Sequence, residues 1–151
     1  MSWLRISILA LLFAGAIPGE AANPARIIKV LPHLLDEQGR HTLSPSLYER
    51  DAYQAYLRQN PAKCSGLRFD IQWKSKLRNP TDLKLRIEFR GGKEAKPFVL
   101  EQTVKRRSGA SRWSSLTLSG DDFKRTGDLV AWRATLWSGD QQLAEQKSFL
   151  W

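Results

Sequence analysis

Residues Leu67–Lys74, LRFDIQWK, alternate apolar and polar side chains at every position. Residues Leu83–Arg90, LKLRIEFR, repeat this alternation after Asn79-Pro80, a pair typical of a turn. A period of two places the apolar side chains of a strand on one face, which indicates half-buried antiparallel strands. These two segments therefore predict a mainly β protein.

The charges on the polar faces of these two segments predict how they pair. In one hairpin register, opposite charges lie face to face in the pairs Arg68–Glu88, Asp70–Arg86 and Lys74–Asp82. A shift of the register in either direction sets like charges against each other. Because opposite charges across strands contribute roughly 0.2–1 kcal/mol each and like charges oppose pairing, we expect the first register.

Five further strands are predicted around this pair. Ile27–Leu31 is a first strand closed by Pro32, and the others cover residues 98–104, 113–118, 129–137 and 141–151. Gly139-Asp140 predicts a two-residue hairpin turn that sets Leu136 opposite Leu143 and Val130 opposite Phe149. Residues 121–124 predict a helical turn. Seven short strands without a β-α-β rhythm predict a two-sheet antiparallel sandwich.

One helix is predicted at about residues 46–59. Ser46 and Glu49 fit a capping box, and Asn60-Pro61 ends the helix. Four apolar residues recur at helical spacing and predict an apolar stripe that packs against the sheets. They are Tyr48, Ala52, Ala55 and Tyr56. Trp73 and Trp132 are expected in the core, with Phe123 at a corner and Trp151 closing the last strand.

The first 22 residues have the features of a secretory signal peptide. Arg5 precedes the apolar run 6–14, and small residues stand before a cleavage site near Ala22. We therefore expect a bacterial protein exported to the periplasm or beyond, with a leader at 1–22 and one domain at 23–151. After the leader, no segment is apolar for long enough to predict a transmembrane helix.

Composition favours an anionic partner and excludes a disulfide scaffold. The formal net charge is +9, which favours anionic partners such as anionic glycans or lipid headgroups, and an envelope protein is a further expected partner. Export separates the protein from nucleic acid, so that partner is not expected. Because Cys64 is the single cysteine, no intramolecular disulfide can form, and packing must supply the stability.

The chain resembles two groups of proteins. Leu67–Trp151 resembles the immunoglobulin/fibronectin-III-like superfold in its strand pattern, although the Cys–Trp–Cys arrangement of antibody-type domains is absent. Residues Pro32–Arg58, PHLLDEQGRHTLSPSLYERDAYQAYLR, resemble small exported bacterial proteins of uncharacterised function. The resemblance implies a fold but no activity, because the superfold carries many unrelated functions.

The sequence predicts no catalytic residue, metal site or cofactor. His33 and His41 flank Asp36-Glu37, but their spacing matches no zinc signature, so incidental polar residues in a turn are the better interpretation. Asp121-Asp122 fits the start of a helical turn better than a calcium site. Cys64 has no evident activating base and is interpreted as an inert thiol.

A basic loop gives the most suggestive binding signal. Arg106, Arg107, Arg112 and Trp113 combine positive charge with an aromatic ring, which suits an acidic polymer. A loop charged for solubility is the competing interpretation. Trp137 lies on the opposite face from Trp132 and is a further candidate for ligand contact.

We therefore expect an exported, non-enzymatic binding or accessory module. One alternative is a small outer-membrane β-barrel, suggested by the terminal Phe149-Leu150-Trp151, although Glu145 and Lys147 would then face lipid. The other alternative is an extracytoplasmic enzyme, for which no nucleophile and base converge in the sequence.

Overall fold

A computed structural model describes residues 24–77, 82–105 and 110–151. The predicted leader, Asn79-Pro80, Arg106 and Arg107 lie outside these ranges. The strands are β1 (Ala25–Asp36), β2 (Cys64–Ser75), β3 (Leu83–Gly91), β4 (Phe98–Val104), β5 (Arg112–Ser119), β6 (Leu129–Ser138) and β7 (Gln141–Lys147). The helices are α1 (Leu47–Gln59) and α2 (Gly120–Thr126), and a 3-10 turn covers Pro61–Lys63.

The strands form two antiparallel sheets. The three-stranded sheet has the order β1-β2-β5, and the four-stranded sheet has the order β4-β3-β6-β7. The predicted mainly β, two-sheet sandwich is confirmed, and it is compatible with an immunoglobulin-like fold. Within the described ranges, no helix combines the length and apolar character needed to cross a bilayer.

The core lies between the apolar faces of β2 and β3. Trp73, Phe69 and Phe89 are almost completely buried, and the rings of Phe69 and Phe89 lie 5.0 Å apart. Trp73 is in the core as predicted, and its indole Nε1 donates to Ser114 Oγ at 3.0 Å. Trp132 is only half-buried at the edge of this core. Burial of each large apolar side chain contributes roughly 1.5–3 kcal/mol to folding.

The predicted pairing of β2 with β3 is wrong. β2 pairs with β1 and β5, whereas β3 pairs with β4 and β6, so the two strands lie in different sheets. Their apolar faces meet across the sandwich, and their polar faces point away from each other. The charges find other partners, since Glu88 accepts from Arg133 of β6 at 2.6 Å.

The hairpin of β6 and β7 follows the predicted register only near its turn. Trp137 lies opposite Gln142, but a bulge then sets Leu136 opposite Ala144 instead of Leu143. Leu143 is consequently free to enter the core, where it is 6% exposed. Since β7 ends at Lys147, Val130 is not paired with Phe149.

Trp151 also departs from the prediction. It does not extend β7 but lies over the guanidinium groups of Arg90 and Arg133, at 4.8 and 5.1 Å. Phe123 packs against the core, as expected for a corner aromatic.

Helix α1 begins where the capping signal predicts, with Ser46 as its N-cap. The predicted apolar stripe does not face the protein, because Tyr48 is 84% exposed. The buried positions are Gln54 and Leu57 instead, and a buried polar residue is invisible to an apolar pattern. β1 is also longer than predicted, since an edge strand can continue through Pro32 without losing a needed hydrogen bond.

Candidate functional site

Most of the side chains that could bind a ligand or a metal ion lie on the outer face of the three-stranded sheet. Directly opposite residues in antiparallel strands share a face, and the register pairs Leu31 with Asp70, His33 with Arg68, and Asp70 with Ser115. Two groups of residues lie on this face. The polar cluster, next to α1, comprises His33, His41, Arg68, Asp70 and Ser115. The basic patch, at the other end, comprises Arg26, Lys29, Lys74 and Lys76.

The polar cluster is built around the Asp70 carboxylate. Ser115 Oγ donates to Oδ1 at 2.5 Å, and Arg68 Nη2 donates to Oδ2 at 2.8 Å. His33 Nε2 lies 3.5 Å from the same Oδ2. Arg68 Nη2 also donates to His41 Nδ1 at 2.9 Å, and the two imidazole rings are 4.8 Å apart. Five side chains from the three strands of this sheet and from one loop therefore converge.

Helix α1 fixes the two segments that carry the histidines. The Gln54 side chain accepts from Leu34 N at 2.8 Å and donates to Leu34 O at 2.9 Å. Its amide also donates to the carbonyl of His41 at 2.8 Å. One buried side chain thus joins the helix, β1 and the loop that carries His41, which sets the separation of the two imidazoles.

Both imidazoles are held neutral at pH 7. Burial lowers the pKa of His33 to about 4, more than the nearby Asp70 carboxylate raises it. Burial and the Arg68 guanidinium lower the pKa of His41 as well. Ser115 donates to Asp70 and not to an imidazole, so the cluster does not have the nucleophile-to-base contact of a catalytic triad.

The sequence places His33 and His41 on either side of Asp36-Glu37, but the fold groups these residues differently. His33 and His41 do come together, but with Asp70 and not with Asp36. Asp36 instead accepts hydrogen bonds from Arg40 and Tyr53 and organises the turn. Asp70 is far away in sequence, so only the β1–β2 register could have revealed it.

The basic patch places like charges directly opposite each other. Arg26 of β1 faces Lys74 of β2, and Lys29 lies beside Gln72 one step further along. Arg26, Lys74 and Lys76 line a shallow open cavity of about 370 Å³. In the part of the chain that the structure describes, none of the four patch residues has an acidic side chain within ion-pair distance.

Trp113 adjoins the basic patch. It lies opposite Gln72 on the outer face and is 51% exposed. Arg112 precedes it on β5 and points to the other side of the sheet, where its guanidinium donates to Lys105 O at 2.7 Å. The described residues of the predicted basic loop therefore do not share one face, and Arg106 and Arg107 lie outside the described ranges.

No protein-family model and no curated protein matches this chain.

The remaining candidates lie elsewhere. Trp137 is half-buried on the outer face of the four-stranded sheet, where its indole donates to Thr135 Oγ1 at 2.9 Å. Trp113 and Trp137 thus face opposite sides of the sandwich. Cys64 is partly buried beside the carbonyl of Leu57, and burial raises the pKa of its thiol. A raised pKa lowers the thiolate fraction, which supports the interpretation of an inert cysteine.

Proposed function

We propose that this protein is an exported, non-enzymatic binding module for an anionic polymer, and that the basic patch and Trp113 contact the ligand. The observation that carries the proposal is the placement of Arg26 opposite Lys74. Like charges directly across a sheet oppose strand pairing, and an anion bound between them removes that repulsion.

The geometry suits an extended ligand. Residues two apart in an extended chain are separated by roughly 7 Å, so Lys74 near the end of β2 and Lys76 just beyond it place two charges along one edge of the face. The adjoining cavity is shallow and open, which favours a chain lying across the face over an enclosed small molecule. Trp113 adds an exposed ring on which a sugar can stack beside the charges.

The leader predicted at residues 1–22 supports a ligand outside the cytoplasm. Acidic glycans and lipopolysaccharide carry repeated negative charges there, whereas nucleic acid is not expected.

The test measures binding of heparin and lipopolysaccharide to the exported, purified chain. Each exposed ionic contact contributes up to about 1 kcal/mol, so Arg26→Ser combined with Lys74→Ser should weaken binding by roughly tenfold. The matched control, Arg58→Ser with Lys96→Ser, removes the same charge from exposed positions on other surfaces. Equal losses in both variants would show general charge attraction and contradict the proposed site.

Two further variants locate the ligand on the surface. Arg106→Ser with Arg107→Ser, in the basic loop predicted from the sequence, should weaken binding without changing the melting temperature, as expected of loop charges that serve binding and not folding. Trp113→Ala should weaken binding, whereas Trp137→Ala on the opposite sheet should not. Added salt should weaken wild-type binding steeply, since the screening length is about 10 Å at 0.1 M. Binding that is insensitive to salt would count against the proposal.

A further inference from the structure

The polar cluster contains a set of metal-ligating atoms that the proposed function does not use. His33, His41 and Asp70 each offer one ligand atom, and these atoms all lie within 4.8 Å of one another. Neutral imidazole nitrogens and a carboxylate oxygen are ordinary ligands of Zn²⁺. With bonds of roughly 2.0–2.2 Å, ligand atoms in a tetrahedral site are about 3.4 Å apart, so modest side-chain rotations would close the set.

The surroundings of these three residues already resemble the outer shell of a metal site. Ser115 holds Asp70 Oδ1, which leaves Oδ2 directed toward the histidines. Gln54 holds the backbone of His41 through its carbonyl. Partners of this kind orient ligands and commonly change metal affinity by 10–100-fold.

We propose that His33, His41 and Asp70 bind one divalent transition-metal ion of the zinc class, and that Arg68 is the cation exchanged on binding. Arg68 Nη2 donates to His41 Nδ1 and Asp70 Oδ2, so its guanidinium occupies an acceptor atom on two of the three proposed ligands. The Arg68 side chain is 24% exposed, which gives the guanidinium a route to solvent. Arg50, on α1, adds a second positive charge near the histidines, so we expect moderate affinity.

The experiment is a calorimetric titration of the untagged, exported chain with ZnCl₂ after chelator treatment. We expect one site with a Kd of roughly micromolar order. His41→Ala should weaken binding at least about tenfold, since one of three ligands is lost. Arg68→Gln should strengthen binding several-fold, because it removes both a competitor for the ligand atoms and a repelling charge. Incidental binding by a surface histidine would not show this gain.

Two controls complete the test. Asp70→Asn keeps the size of the side chain and a contact for Ser115, so it should weaken zinc binding with little loss of fold, as circular dichroism can verify. Cys64→Ser should leave zinc binding unchanged. Absence of saturable binding, equal affinity in His41→Ala, or loss of binding in Cys64→Ser would each overturn the inference. Chelator-treated protein should still bind heparin, so failure of this site and failure of the proposed function are distinguishable.

Discussion

Replacement of Asp36 by Asn tests how the end of β1 is joined to α1. Asp36 is 3% exposed, and its carboxylate accepts four hydrogen bonds. Its Oδ1 accepts from Gln38 N at 2.9 Å and Arg40 N at 2.8 Å, and its Oδ2 accepts from Arg40 Nε at 2.9 Å and Tyr53 OH at 2.7 Å. One charged group therefore ties the turn and the helix to the sheet.

The magnitude follows from the protonation equilibrium of this carboxyl. Burial acts to raise the pKa of Asp36, but hydrogen bonds from Arg40 and Tyr53 outweigh it and lower the pKa from 3.8 to about 2. Such a shift corresponds to about 2 kcal/mol of stability at pH 7. Because the folded pKa lies below the unfolded one, this contribution is complete above about pH 4 and is lost as the pH falls toward 2.

Urea unfolding followed by tryptophan fluorescence measures the effect. Asp36→Asn keeps the shape but removes the charge, and its amide group meets donors, so we expect a loss of about 2–3 kcal/mol at pH 7. The difference from wild type should shrink near pH 3, because there the unfolded chain protonates Asp36 while the folded protein still holds it mostly ionised, and it should shrink further as the pH falls toward 2. Asp140→Asn, in the exposed hairpin turn, should change stability by less than about 0.5 kcal/mol. An equal loss for Asp36→Asn at both pH values would refute the electrostatic reasoning.

Two other substitutions test the packing. In Gly91→Ala the new Cβ would lie 2.0 Å from Thr126 O, so urea unfolding should show that the free energy of unfolding falls by about 3 kcal/mol or more. Gly92→Ala, whose new Cβ would lie 3.7 Å from its nearest atom, should lower it much less. Similar losses in the two variants would contradict the contact at Gly91. Gln54→Ala should cost about 2–3 kcal/mol and speed amide exchange at Leu34, because it leaves buried backbone groups of Leu34 and His41 without their partner. Unchanged exchange at Leu34, with the exposed Gln59→Ala as reference, would argue against this role of Gln54.

The sequence predicts which segments form strands and helices better than it predicts which strands pair with each other. The alternation in β2 and β3 specifies which face of each strand is buried, and Ser46 specifies where α1 begins. Two strands that each have one apolar face can be hydrogen-bonded neighbours in one sheet, or they can pack face to face in two different sheets. The alternation of apolar and polar residues is the same in both arrangements. The charges did not resolve this choice, because Arg133 of β6 is as suitable a partner for Glu88 as Arg68 would have been.

The polar cluster cannot be predicted without the register of β1 against β2, which the sequence does not supply. His33 and Asp70 lie on different strands, and they share a face only because Leu31 pairs with Asp70 and His33 with Arg68. A shift of one residue would move His33 to the opposite face, since side chains alternate along a strand. The predicted end of β1 at Pro32 also removed His33 from the sheet, which concealed the relation further.

The register also decides which charged residues of β1 and β2 lie opposite each other. Arg26 and Lys74 are unremarkable as separate surface charges, but as directly opposed residues they repel each other across the sheet. Folding alone would favour an acidic or neutral residue at either position, and such a residue would keep the sandwich intact. In the described part of the chain neither residue has an acidic side chain within ion-pair distance, so the anionic polymer proposed above would relieve their repulsion if it bound between them.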